Sequence, residues 1–262
     1  MPQDDKTQRA IQSIEVGGRL LLALADSAEP LPLKELAVRA GLSASRAHPY
    51  LVSYGRLGLI EQLAGGGRYA LGPAALRIGL SCLQQLDPLR AAEPVIHELA
   101  ASTGHAVALS VWGNFGPTIV RLIEARQPLH IALRVGSVMS LFDTATGRAF
   151  AAALPRERLA AALTASGQHG ASADALAGRD EELAHIRAEV AQHGVTRAAG
   201  RPLPGVNAFS AAAFDHEGHA ALVITLLDHV DRLASAWNGR AAHAVRDAAR
   251  QISLRLGFDD AG

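Results

Sequence analysis

The residues able to do chemistry in this 262-residue chain are scattered. Among eleven histidines only His216 and His219 lie close together, in Asp215-His216-Glu217-Gly218-His219. That stretch reads as a hairpin turn, where a histidine pair is more often solvated than ligating, and no third ligand stands at a usable spacing. Cys82 is the single cysteine, so no internal disulfide or multi-thiolate metal site can form. It has no neighbouring histidine or cation to activate it and is expected to be a small packed side chain. No P-loop, dinucleotide-binding glycine motif, nucleophile elbow or H-E-x-x-H is present. The sequence therefore gives no catalytic residue, no metal site and no cofactor.

Two segments suit binding rather than catalysis. The first is Ser43-Ala44-Ser45-Arg46-Ala47-His48, which opens a helix with hydrogen-bonding groups. The second is Asp143-Thr144-Ala145-Thr146-Gly147, another helix start, where small residues allow close approach to free backbone N–H groups. Taken alone, the second pattern is ordinary capping. Arg179-Asp180-Glu181-Glu182 reads as a solvated helix start.

The elements around the first segment give it a context. Residues 11–26, 33–40 and 44–57 have helical apolar spacing, the third through Ala47, Leu51, Tyr54 and Leu57. Gly41-Leu42 makes a tight turn before Ser43. Strands at 59–62 and 68–71 flank a glycine-rich turn. Three helices and a hairpin predict a winged helix-turn-helix over residues 1–72. In the DNA-binding reading, the third helix enters the major groove. Ser43, Ser45, Arg46, His48 and Tyr50 then read bases, and Ser53, Arg56 and Arg68 hold phosphates. The other reading is a module for protein contacts, which the balance of eight cations against seven anions over residues 1–72 leaves open.

A linker helix follows at 73–88, and Asp87-Pro88 starts another running to about Thr103. Linkers of this kind carry dimer contacts or pack on the next domain. Beyond Gly104 the spacing predicts strands at 106–112, 118–124, 129–135, 196–199, 208–214 and 220–227. Helices are expected at 145–154, 155–163, 180–193 and 235–256, with a loop over 167–178. This is an α+β domain over 89–262 with a mainly antiparallel sheet of about six strands flanked by helices. Lys plus Arg and Asp plus Glu are 25 each, so whole-molecule attraction to nucleic acid or membrane is absent. With no leader-like segment and no apolar run long enough to span a bilayer, a cytoplasmic protein is expected.

The chain from about Ala10 to Phe258 resembles the IclR (isocitrate lyase regulator) family of bacterial transcriptional regulators. The resemblance rests on LKELAVRAGLSASRAHPYLVSYGRLGLIEQ, GGGRYALGP and RVGSVMSLFDTATGRAF. It also rests on the spacing from Gly194 to Ala208, Phe209, Ser210, Ala213, Phe214 and Asp215. It implies a GAF-like effector domain and homodimers, often assembled as tetramers, on a palindromic double-stranded DNA operator, answering to a small organic acid. The effector site implied comprises Met139, Leu141, Ala145, Thr146, Ala198, Arg201, Ala208, Thr225 and Leu227. Three positions depart from the family pattern: Ala198 replaces Asp or Ser, Arg201 replaces Glu, and Ala208 replaces a frequent Cys. These changes predict an apolar pocket with a guanidinium, suited to an aromatic carboxylate. A fourth departure, Pro49, predicts a kink or a delayed start in the third helix. The alternative to a DNA-binding regulator is a small-molecule sensor whose helix-turn-helix associates with protein. A hydrolase using the histidines has no motif behind it.

Overall fold

The structure, a computed structural model, describes residues 10–63, 67–129, 131, 133–165, 176 and 178–258. The chain divides into two compact units, Met1–Leu86 and Asp87–Gly262.

In the first unit, helices α1 (Gln12–Ala25), α2 (Leu33–Arg39) and α3 (Ala44–Arg56) precede strands β2 (Ile60–Gln62) and β3 (Arg68–Leu71). A two-residue strand, β1 (Leu31–Pro32), pairs with β3, so the wing is a three-stranded sheet ordered β1-β3-β2. Leu20, Leu36, Ala47, Leu51 and Ile60 form the buried centre. Gly41, at φ 67°, makes the left-handed turn that separates α2 from α3. Leu57 is 65 % exposed, not inward as its spacing predicts, because α3 has ended and it occupies the C-cap. Helix α4 (Pro73–Gln85) closes the unit without a single buried residue. Cys82 lies exposed on it, which corrects the expectation of a packed thiol.

Helix α3 starts at Ala44 and runs unbroken through Pro49, so the delayed start predicted from Pro49 does not occur. Pro49 is exposed, one turn after the equally exposed Ser45. The missing N–H leaves the Ser45 carbonyl without its helical donor on the face that water reaches, where the loss is smallest.

The second unit is one antiparallel sheet with helices on both faces. Its strands are β4 (Ala106–Gly113), β5 (Gly116–Ile123), β6 (Thr196–Ala199), β7 (Val206–Phe214) and β8 (Ala220–His229), ordered β5-β4-β8-β7-β6. Helices α5 (Pro88–Thr103) and α9 (Arg240–Arg255) pack together and against the sheet. Helix α6 (Ala145–Ala153) crosses β5, β6, β7 and β8 and is backed by α8 (Asp180–His193); α7 (Arg156–Ala165) lies on β5.

Among the described residues the sheet has five strands, not six. The apolar residues Leu129, Ile131 and Leu133 pack on the core of Ala106, Ala108, Ile119 and Leu227 without forming a strand. The backbone edge they would have used is taken by the following segment. Ile119 N–H donates to Ser137 O (3.0 Å), Gly136 N–H to Ile119 O (2.8 Å) and Met139 N–H to Pro117 O (2.8 Å). Helix α9 starts five residues later than its apolar spacing suggests. Ser235 O accepts from Arg197 Nη1 (2.7 Å), and Trp237 lies between the Arg197 guanidinium (4.2 Å) and the His193 ring (4.3 Å). The predicted loop over 167–178 lies almost wholly outside the described residues.

One buried charge ties this unit together. Asp228, 2 % exposed, accepts from His105 Nδ1 (2.8 Å), Arg232 Nε (2.9 Å) and His229 N (2.7 Å). Burial pushes its carboxyl up, but the hydrogen bonds from Arg232, His105 and the His229 backbone, with the Arg232 charge, outweigh burial and hold it below the usual value. A depressed carboxyl stabilises the fold above its unfolded pKa of about 3.9, and that contribution is lost as pH falls through the lower folded value. Asp228→Asn is therefore expected to cost about 3 kcal/mol at neutral pH. The deficit should shrink below about pH 4. Urea unfolding at both pH values measures it, and an undiminished acid deficit contradicts this account.

Candidate functional site

Two places gather the polar residues singled out from sequence. The first is the outward face of α3. Ser43 caps the helix, its Oγ accepting from Arg46 N (3.4 Å) and contacting Ser45 Oγ (3.1 Å). At ~100° per residue, Ser45, Arg46, His48, Pro49, Val52, Ser53 and Arg56 share the face opposite buried Ala47 and Leu51. All seven are exposed. Tyr50 is not on that face. It is half-buried against the unit's core, where its ring comes within contact range of Gly17 on α1. Tyr50, expected from sequence to read a base, thus lies off the exposed face, and the 3.6-residue period accounts for it. Ser53 Oγ donates to Pro49 O (3.0 Å), which leaves it lone pairs but no proton for a phosphate. Arg68, on the wing, is exposed and donates from Nη1 to Pro30 O (3.0 Å). Val52 was missed; its exposure is visible only once the helical phase is known.

The second place is a cavity of about 420 Å³ in the second unit. Its floor is the sheet. Ala108, Thr225, Ser210 and Thr196 stand opposite one another across β4, β8, β7 and β6, and Ala106, Leu227, Ala208 and Ala198 form the next row. Ala108, Thr225, Leu227, Ala208 and Ala198 line the cavity. Its inner end is the start of α6. Thr144 Oγ1 accepts from Gly147 N (3.0 Å) and donates to Ser140 O (2.7 Å), so the cap is locked on both sides. Thr196 Oγ1 on β6 donates to Ala145 O (2.7 Å), and Thr146 Oγ1 meets Thr225 Oγ1 on β8 (2.7 Å). Farther along α6, Arg148 Nη2 pairs with Glu189 Oε2 of α8 (2.6 Å).

Helix α6 is thus seated with its first turn in the protein. Ala145 and Thr146 are 1 % and 3 % exposed, and among the described residues neither backbone N–H has an acceptor. Both residues line the cavity, so two donors at the positive end of a helix are buried beside open space.

The structure brings Met139, Ala145, Thr146, Ala198, Arg201, Ala208, Thr225 and Leu227 to this one cavity. Leu141 is not among its walls; it is buried with Phe150, Leu159 and Leu163 in the core beneath α6. Ile119, Ser137, Ser140, Thr144, Leu203 and Val206 also line it and were missed. Strand alternation marks Val206 with Ala208, but the loop contributors carry no sequence signal. Arg201 stands exposed at the mouth, with exposed Asp143 on the same rim. The hairpin turn brings Asp215, Glu217 and His219 within 4.8 Å of one another, without His216. The Asp215 carboxylate there accepts the N–H groups of Glu217 (3.0 Å) and His219 (2.9 Å), as a turn requires.

A winged helix-turn-helix and a sheet domain with a donor-lined cavity define a ligand-responsive transcriptional regulator. Comparison with known proteins agrees. The family profile described as the C-terminal part of bacterial transcriptional regulator IclR matches residues 80–254. The IclR helix-turn-helix profile matches 13–64. The chain belongs to the IclR family of bacterial transcriptional regulators. It is 24 % identical to the transcriptional repressor IclR of Escherichia coli over 94 % of this chain and 90 % of that one. Identity to the glycerol operon regulatory protein of Streptomyces griseus is 32 %, over 95 % and 98 % of the two chains. The crystal structure of Pseudomonas aeruginosa HmgR superposes with a TM-score of 0.84 at 33 % identity, over 95 % of this chain and all (100 %) of that one. No described helix is long and apolar enough to cross a membrane.

Gly147 sets the approach of α6 to the preceding loop, since a Cβ there would sit 2.0 Å from Ser140 O. Gly147→Ala is expected to cost on the order of 2–3 kcal/mol. Thermal unfolding of the purified variant measures it, and an unchanged midpoint would show the contact to be slack.

Proposed function

We propose that this regulator binds a palindromic double-stranded DNA operator through α3 and the wing, and that a small organic acid in the cavity modulates binding. Residues 1–72 serve as the DNA-binding part, 73–88 as the linker and 89–262 as the effector domain. The protein acts by binding and not by catalysis, in the cytoplasm where its DNA lies. The buried, acceptor-free N–H groups of Ala145 and Thr146 carry the reading. Leaving such donors unpaired costs ~1–3 kcal/mol each, which a bound carboxylate reverses. The walls behind them, with Ile119, Leu133, Val206 and Leu227, favour an apolar or aromatic body. Arg201, at the mouth, adds positive charge along the entry path.

On the DNA side, Ser43, Ser45, Arg46 and His48 face the bases, with Val52 available to a thymine methyl group. Arg56 and Arg68 face phosphates. A second copy of the chain sets the half-site spacing. Its contact is proposed along α4, where Leu76, Leu80 and Leu83 are 64 %, 50 % and 42 % exposed on one stripe.

Two variants test the two sites. Arg46→Ala should weaken binding to the operator upstream of its own gene about tenfold or more, with random DNA unaffected. A protected region with half-sites one helical turn apart would support the dimer. Ala145→Pro retains a residue suited to the first helical position and deletes one cavity N–H. It should reduce an acid ligand's ability to shift the operator complex about tenfold while leaving ligand-free DNA affinity alone. Equal loss on random DNA for Arg46→Ala, or an unchanged ligand response for Ala145→Pro, would sink the respective assignment.

A further inference from the structure

We propose that residues 201–204 form a lid that closes over the cavity mouth on a bound ligand, latched by an ion pair between Arg201 and Asp143. The inference rests on the cavity being the effector site and concerns its entrance, not the group held at α6.

Two glycines in the left-handed region bracket the segment, Gly200 at φ 65° and Gly205 at φ 77°. Glycine turns about φ and ψ with little steric resistance. Each of the two is fixed on its outer side. Gly200 N–H donates to Val206 O (2.9 Å) and to Asn207 Oδ1 (3.0 Å), and Asn207 Nδ2 donates to Leu233 O (2.7 Å). Gly205 O accepts from Val230 N (2.9 Å). The torsions on the inner sides turn without breaking these bonds. Between the hinges, one hydrogen bond ties the segment to the body among the described residues, from Val206 N to Leu203 O (3.2 Å).

The segment stands at the mouth and carries a cation. Arg201, Pro202 and Leu203 line the cavity. Arg201, Pro202 and Pro204 share with Asp143 the walls of a rim space of about 580 Å³. Arg201 and Asp143 are both exposed, and neither has an ionic partner among the described residues. Asp143 is held in place: Ser140 Oγ donates to its Oδ2 (2.5 Å), and the next residue, Thr144, caps α6. The anion is thus anchored to the body of the domain, and the cation rides on the hinged segment.

Closure needs a ligand for a physical reason. An exposed ion pair gains little in water. Leu203, an apolar side chain on the cavity wall, is 36 % exposed. Over an empty cavity it has nothing to cover. With an apolar body inside, closing buries Leu203 against that body and removes water from the Arg201–Asp143 pair, which strengthens it. The ligand favours the closed state through contacts that exist only there.

Salicylate, whose fluorescence reports binding, is the probe, and stopped-flow measurement on the full chain separates uptake from release. Asp143→Asn and Arg201→Gln should each speed release about fivefold, and the double variant no further, because all three break one pair. High salt should bring wild type to the same rate. A guanidinium that only steers anions gives a different pattern: Arg201→Gln slows uptake, Asp143→Asn speeds it, and release is unchanged. That pattern, or additive effects on release, would overturn the proposal.

A covalent latch supplies a second readout. In the Cys82→Ser background, which removes the exposed native thiol, Asp143→Cys and Arg201→Cys are joined by a short bis-methanethiosulfonate. Protein joined after loading should retain salicylate through gel filtration and release it on reduction. Release as fast as from unjoined protein contradicts a lid, as do two cysteines that each react singly and never join. Wild type that takes up no salicylate, while the cysteines join, would count against the acid-effector reading and not against the lid.

Discussion

The seating of one helix end governs the second unit. Helix α6 enters the structure N-terminus first, and its positive end is buried over the sheet. Thr144 locks the turn from outside, Thr196 holds the first carbonyl from β6, and Thr146 reaches Thr225 on β8. Gly147 permits the approach, since its backbone passes where any larger residue would strike Ser140. These contacts fix the helix along its length and still leave two of its first N–H groups unused. In most helices those groups are served by a cap or by bulk water. Here the polypeptide invests its capping hydroxyl in Gly147 and holds the remaining donors beside a cavity. The same geometry both orders the domain and makes the cavity polar at one end only.

The sequence carried the elements of both units better than the site. Apolar period marks α3, α5 and α6 closely because each has a cap residue or a proline at its start, Ser43, Asp87-Pro88 and Thr144, and α8 is marked by the acids of its first turn. Where that marking is missing, the reading drifts. The residues around 129–135 have the composition of a strand, but backbone pairing and side-chain burial are separate demands. Leu129, Ile131 and Leu133 meet the second while residues 136–139 meet the first. Residues 235–239 continue the apolar spacing of α9, yet Arg197 and Trp237 fix them in another conformation through contacts from 38 residues away. Of the cavity, the residues implied by family resemblance came together, apart from Leu141. The wall formed by Ser137, Ser140 and Leu203 comes from loops, whose side-chain direction no periodicity reports.

The reading surface proposed for the first unit carries little charge. Positive and negative side chains balance over the whole chain, so long-range attraction to DNA is weak. The exposed face of α3 is nonetheless free of acids, with Arg46 and Arg56 separated by Pro49, Val52 and Ser53. Pro49 sits at the centre of that face, where a helix tolerates the loss of one hydrogen bond because water replaces it. It also denies that point a long side chain. A surface of this kind gains less from phosphate neutralisation than a lysine-rich helix does, and so relies more on directed contacts to base edges.

The two ends of the cavity do different work for a physical reason. At the mouth, Arg201 and Asp143 are exposed, and water and salt screen whatever they contribute. While the proposed lid is open, charge there biases which molecules approach and does little to hold them. At the inner end, Thr146 and Thr225 are buried to within 4 % of full exclusion from solvent, so each hydrogen bond acts in a poorly screened environment. In the proposed acid-effector reading, discrimination between an anion and a neutral isostere therefore belongs to the backbone donors of Ala145 and Thr146. Replacement of the family's usual acid by Arg201 changes the approach path more than the seat itself. For the proposed effector, the apolar walls between the two ends would select by shape, and the backbone donors behind them by chemistry.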